Sequence, residues 1–181
     1  LDAVNVLRRQ RALNFPPGDQ FRYSNTGYFL MSLVVQRITG DSLPEFARKR
    51  IFEPLGMHDT RYVPDMRTVV RDRATAYEPS PAGGWREAMS GWEMAGDGGV
   101  FTTVEDLARW DENFTSHTVG GPALTELMST QGKLRDGVPV PYGLGLFVDQ
   151  YFGQRRVWHN GIWAGYRMDR ARGGRPRRNR R

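Results

Sequence analysis

The sequence has no cysteine among its 181 residues. That excludes a disulfide framework, a thiolate metal site and a cysteine nucleophile, and it leaves the redox compartment open. It also has no uninterrupted apolar run of the roughly 18 residues that a membrane-spanning helix needs. Lysine is scarce, with only Lys49 and Lys133 present. Histidine is limited to His58, His117 and His159, and none of these has the His-Glu-x-x-His spacing of a metal-binding helix, so no metal or cofactor is expected. No secretory leader pattern stands at the start. The chain begins with Leu1, inside what reads as a helix, so that absence leaves localisation unknown. An apolar fraction of 39% is enough for the core of one domain of ordinary size.

Positive charge is present but sits at one end. The formal net charge is +6, yet eight arginines against one aspartate fall within residues 167–181, leaving residues 1–166 near neutral. The body therefore carries no electrostatic footprint for nucleic acid, and no specific nucleic-acid partner is expected. The stretch Arg170 to Arg181 has no apolar periodicity, and residues 167–181 are expected to form a disordered tail after a partial domain over 1–166. Three readings of the tail stand open. It is an arm for nucleic acid or an anionic membrane, an inert solvated extension, or the product of a GC-rich gene read out of frame.

Glycine and proline punctuate the rest. Residues 2–13 read as a helix with Val4, Leu7 and Leu13 on one side, ended by Pro16-Pro17-Gly18. Residues 26–39 form the next helix. Tyr28, Leu30, Met31, Leu33, Val34, Val35 and Ile38 leave it almost no polar face, so it is expected to be buried, with Gly40 closing it. Ser42-Leu43-Pro44-Glu45 is a capping box with proline in the first turn, and Pro54 stops the helix it opens. Residues 60–95 are broken by prolines and glycines. Trp85 and Trp92 there read either as anchors of a long loop on the core or as walls of a cleft. Thr102-Thr103-Val104-Glu105-Asp106 opens another helix with a capping-box arrangement and an acidic first turn, and Pro122 sits at the start of one ending near Ser129. From Tyr142 the period changes. Residues 142–148 and 155–159 read as two strands of a hairpin turning near Gly153. His58 reads as a turn residue and His117 as a solvated residue in a Ser/Thr loop.

The chemistry concentrates between Pro16 and Tyr28, where a Pro/Gly turn leads through aromatic residues to Tyr23-Ser24-Asn25 and then into the apolar helix. Tyr and Asn two apart at a helix entry can point into one cleft, the phenol trading protons and the carboxamide both donating and accepting. The plainer reading is a satisfied Tyr hydroxyl and a capping Asn.

The longer string is more specific. Phe-x-Pro-Gly-x-x-Phe-x-Tyr-Ser-Asn-x-Gly-Tyr is followed by Ile51-Phe52-Glu53-Pro54-Leu55-Gly56-Met57-His58-Asp59-Thr60, by Gly96-Asp97-Gly98-Gly99-Val100-Phe101-Thr102-Thr103, and by His159-Asn160-Gly161. In this order, over about residues 1–167, the chain resembles the β-lactamase-related serine hydrolases: class C-type β-lactamases, DD-peptidases and esterases of the same fold. The resemblance implies an α+β fold, an α/β sandwich with a helical subdomain. Here it would be incomplete and mostly helical, with a small antiparallel sheet. It also implies acyl transfer on an amide, β-lactam or ester, with a small molecule or peptide as substrate. Tyr23 would shuttle protons, Asn25 would hydrogen-bond the substrate, and His159 would supply a donor beside Tyr23. Gly161 would let substrate backbone approach, and the Ile162 N–H would be an oxyanion donor. A resemblance to envelope enzymes also makes an exported parent protein the expectation.

The family's nucleophile is a Ser with Lys three residues later on a helix. None of the seven serines here has Lys at that position, and no Ser or Thr precedes Tyr23. The expectation is therefore a fragment without its nucleophile, inactive and marginally stable by itself. Two alternatives are a non-catalytic binding or regulatory module of the same fold and a polyanion-binding protein working through the Arg tail.

Overall fold

Helix breakers and capping residues decide where this chain can turn, and the elements follow from them. A computed structural model describes residues 3–63, 65, 67–91 and 94–173. The first helix, α1, spans only Ala3–Leu7. The expected helix to residue 13 is not formed. Residues 8–14 face solvent, so no packing offsets the cost of ordering a short helix. Helix α2 spans Asn25–Thr39. Its N-cap is Ser24, not Asn25: the Ser24 hydroxyl accepts from the Gly27 N–H at 3.2 Å. Gly40, at φ 78°, closes the helix with its N–H donating to the Gln36 carbonyl. Ser42 caps α3 (Leu43–Ala47), which runs on into one π-helical turn at Arg48–Phe52.

The loop-rich middle contributes β1 (Arg61–Tyr62), β2 (Tyr77–Pro79), β3 (Trp85–Glu87) and β4 (Val100–Phe101). They form two antiparallel pairs, β1 with β4 and β2 with β3. Trp85 is 72% exposed, so it does not anchor its loop on the core. Trp92 lies outside the described residues.

Helix α4 spans Val104–Ser116, with the Thr103 hydroxyl accepting from the Asp106 N–H at 3.2 Å. His117 ends it in the left-handed region, half-buried, with Nδ1 2.7 Å from Thr125 Oγ1. It is a helix C-cap rather than a solvated loop residue. Helix α5 (Gly121–Met128) carries Pro122 in its first turn. A short pair, β5 (Gly132–Lys133) with β6 (Pro139–Val140), precedes the main sheet.

That sheet is β7 (Phe147–Tyr151), β8 (Gln154–Trp163) and β9 (Tyr166–Gly173), antiparallel in the order β7-β8-β9. The hairpin expected around Gly153 is β7–β8, with Phe147 opposite Trp158 and Tyr151 opposite Gln154. Strand β9 corrects the expectation of disorder from residue 167. It pairs along β8 from Trp163 opposite Tyr166 to Arg156 opposite Gly173. Residues 167–173 bury little apolar surface and are held instead by ladder pairing and charge. Arg170 and Arg172 both reach Asp111 on α4, and the Arg170 guanidinium lies over the Phe114 ring at 4.8 Å. Residues 174–181 lie outside the described part.

The core sits where this sheet meets α4 and α5. Leu146, Val148 and Val157 are buried, and Phe114 and Met128 pack against them. A second tie is polar. Asp106 is 1% exposed and accepts from the Asp59 N–H at 2.9 Å and the Thr60 hydroxyl at 2.8 Å, and it pairs with Arg109. It thereby fastens the Pro54–Thr60 turn to the start of α4.

Two further expectations are corrected. With 31% helix and 23% strand, the architecture mixes helices with small antiparallel sheets and is not mostly helical. Helix α2 is not buried. Among its residues only Ser32 is, while Met31 is 53% and Ile38 78% exposed. Helices α4 and α5 take the sheet face, and no described element covers the outer side of α2. Among the described residues no helix is long and apolar enough to cross a membrane.

Candidate active site

The site is built where the entry to α2 meets the far half of β8. The Gly96–Gly99 loop sets their separation. Gly96, at φ 122°, lies against α2, where a Cβ would come within 2.9 Å of Ser32 Cβ and of the Tyr28 carbonyl oxygen. Gly98 faces Trp163 at the end of β8, and a Cβ there would meet the indole at 2.8 Å. Only residues without a side chain let the loop join both elements this closely.

Tyr23 reaches the site from the segment before α2. Its ring centroid is 5.8 Å from that of His159 on β8 and 5.9 Å, edge-on, from that of Tyr142. Phe21 lies 5.4 Å from Tyr142, which meets Phe147 edge-on at 4.8 Å. Phe147 stacks on Trp158 at 4.7 Å. These contacts form one aromatic wall from the entry of α2 to the sheet, in geometries that suit ring quadrupoles. The wall is anchored by charge at its far end. The Trp158 Nε1–H donates to Asp149 at 2.9 Å, and Asp149 pairs with Arg156 at 2.7 Å. The Arg156 hydrogen bonds hold the Asp149 carboxyl below its usual range.

His159 is held at both ring nitrogens. Nδ1 lies 2.6 Å from the Asn160 carbonyl oxygen, and Nε2 lies 3.1 Å from the Tyr142 hydroxyl. Tyr142 is 8% exposed. Burial, reinforced by the neighbouring phenols Tyr28 and Tyr23, raises the Tyr142 pKa above the ordinary phenol value; burial raises that of Tyr28 as well. Both therefore stay protonated at ordinary pH.

The structure thus brings Tyr23 and His159 together. Asn25 stands one residue past the cap, at the start of α2. It is exposed, and its side chain has no hydrogen bond among the described residues. Gly161 and Ile162 lie opposite Met168 and Arg167 of β9. Pairing with β7 ends at Phe147 opposite Trp158, so among the described strands residues 159–163 are paired on one side only. A Cβ at Gly161 would meet Met168 at an ordinary 3.5 Å, so packing inside this structure does not itself demand glycine there. Ser24 is committed as a helix cap, and among the described residues no other serine or lysine has a hydrogen bond to Tyr23 or His159. Two cavities, of about 390 and 350 Å3, lie elsewhere, one beside Arg48 and His58 and one beside His117 and Arg155.

Sequence reasoning missed Tyr142, which meets both Tyr23 and His159. Tyr142 opens the period-two stretch from 142 to 148, which is the one signal it gave.

Comparison with known proteins gives this geometry a context. The chain is 31% identical over 170 residues to a D-aminopeptidase from Brucella ovis, matching 93% of this chain and 32% of that protein. It therefore spans about a third of that relative's length. Among solved structures, the octameric penicillin-binding protein homologue from Pyrococcus abyssi superposes with a TM-score of 0.75 at 27% identity, over 84% of this chain and 36% of that one. A D-stereospecific amidohydrolase from Streptomyces sp. superposes with a TM-score of 0.67 at 25% identity, over 84% of this chain and 46% of that one. The family model described as Beta-lactamase matches residues 3–173, essentially the whole described chain, and the chain belongs to that family of hydrolases.

Proposed function

We propose that this chain is part of a serine hydrolase that cleaves an amide by acyl transfer, with D-configured amino-acid amides or short peptides as the substrate class, and with the nucleophile on a segment outside it. The observation that carries the reading is the approach of Tyr23 to His159 beside a strand edge left open from His159 to Trp163. An extended substrate can lie along such an edge and complete its hydrogen bonds. In this reading Tyr23 passes a proton from the nucleophile to the leaving amine. Asn25 binds the substrate amide, Gly161 leaves room for its backbone, and the Ile162 N–H is one oxyanion donor. The D-aminopeptidase and D-stereospecific amidohydrolase relatives support an amide over a β-lactam or ester. The uncovered apolar side of α2 supports a missing segment, because a patch of that kind ordinarily has a partner.

By itself the chain is expected to be inactive, since no Ser-x-x-Lys pair is present to form an acyl-enzyme. That same absence favours a second reading, a binding module that keeps the cleft without the chemistry. The polyanion reading loses two of its cations, because Arg170 and Arg172 are engaged by Asp111.

The test is a titration of isotope-labelled protein with D-phenylalanine amide and its L enantiomer, followed by NMR, alongside a burst assay with an activated ester. Shifts at Tyr23, Asn25, Gly161 and Ile162 that favour the D form, with no burst, support the proposal. Binding there without preference between the enantiomers supports the module instead. A stoichiometric burst from this chain, or no shift at these residues, overturns the reading.

A further inference from the structure

We infer that Tyr142 is the positioning residue of this site, and that it holds neutral His159 in the Nδ1–H tautomer with its Nε2 lone pair occupied by the Tyr142 hydroxyl. The argument is one of donors and acceptors. The Asn160 carbonyl oxygen carries no proton, so at 2.6 Å its partner Nδ1 must carry one. A neutral imidazole has a single N–H, so Nε2 is then bare and can only accept. The group 3.1 Å from Nε2 is the Tyr142 hydroxyl, which therefore donates to it.

The rest of the cluster agrees. Tyr142 is buried and its phenol is held protonated, so the donated proton persists across the ordinary pH range. The hydrogen bonds thus run one way, from Tyr142 to His159 and on to the Asn160 carbonyl. Phe21, Tyr23 and Phe147 pack around the Tyr142 ring and fix where its hydroxyl points.

The consequence refines the site. Neutral His159 has no N–H left for the cleft, so it is not the donor beside Tyr23 that the family resemblance implies. It is a wall whose angle Tyr142 sets, and Tyr23 is the proton-carrying group of the pair. That consequence rests on the proposed function, whereas the tautomer does not, and the two fail separately.

The experiment is long-range nitrogen–proton NMR of the histidine rings in the whole chain, above the histidine titration, with His58 and His117 as internal references. His159 is expected to show a protonated Nδ1 and a bare Nε2. Tyr142→Phe keeps the ring and removes the hydroxyl. It should shift the tautomer ratio by about fivefold toward Nε2–H, the loss of one ordinary hydrogen bond. Tyr28→Phe leaves the Tyr142 hydroxyl in place and should leave His159 in its Nδ1–H form. A dominant Nε2–H tautomer in the unmodified chain overturns the inference, and that measurement needs no variant to fold. An equal shift in both variants also overturns it, since general loosening rather than Tyr142 would then set the ring. Failure of the D-phenylalanine amide titration would leave these ring signals unchanged and would count against the proposed function alone.

Discussion

The two sides of this molecule are held in different ways. On one side α4 and α5 lie over the β7–β8–β9 sheet, and Leu146, Val148 and Val157 are sealed between them. On the other side α2, with a more apolar sequence than α4, leaves Met31, Val34 and Ile38 open to solvent. Burial follows the available partner and not hydrophobicity alone. The sheet side has two layers to bring together, whereas α2 has a layer on its inner side only. The candidate site lies along the seam between them. It is reached from the open side and stiffened from the closed one through Phe147 and Trp158.

The largest expected effect tests the polar tie. Asp106→Ala strands the Asp59 N–H and the Thr60 hydroxyl and frees Arg109, and it should cost about 3 kcal/mol, read as a fall in the urea midpoint or loss of the cooperative transition. A loss under about 1 kcal/mol would mean that the Pro54–Thr60 turn is held by other contacts.

The next pair tests the comparison directly. Val157→Ala in the sealed core should cost about 2 kcal/mol. Ile38→Ala on the open face should stay within about 0.5 kcal/mol. Equal losses would show that α2 is covered in solution, by a second copy of the chain or another partner, and the contrast would fail.

Ser24→Ala removes the cap of α2 and should cost about 1 kcal/mol, seen as lower helicity by circular dichroism at unchanged sheet signals. Loss of sheet signals as well would mean that the two sides fold as one unit.

The smallest effect is acidic. Arg156 depresses the Asp149 carboxyl, so the pair contributes stability above the unfolded carboxylate value of about 4 and loses it as pH falls through the lower folded value. Asp149→Asn should flatten that part of the stability curve below about pH 4, and an unchanged curve would leave the pair without a role.

Legibility in the sequence varied with the range of the interaction. Ser42, the Thr102-Thr103 pair, Gly40 and Pro122 marked helix ends because a cap is decided within four residues. The β7–β8 hairpin was visible in its period, and Tyr23 and His159 in the motifs around them. Helix α1 was overextended because periodicity says nothing about whether a partner exists for the apolar side. Strand β9 was missed because its stabilising partners, Asp111 and Phe114, are more than 50 residues away, and an arginine-rich sequence without them reads as disorder. His117 was misjudged for the same reason, its partner Thr125 being on the next helix.

The sequence alone determined the local punctuation of this protein, its family and the absence of a Ser-x-x-Lys pair, since each is a matter of residues close together in the chain. Tertiary structure decided the rest. It chose which apolar face would be covered, turned eight residues with three arginines into a strand, and set Tyr142 against His159. Those outcomes depend on which distant groups can offer a lone pair, a charge or a packing surface, and no stretch of sequence carries that information about itself.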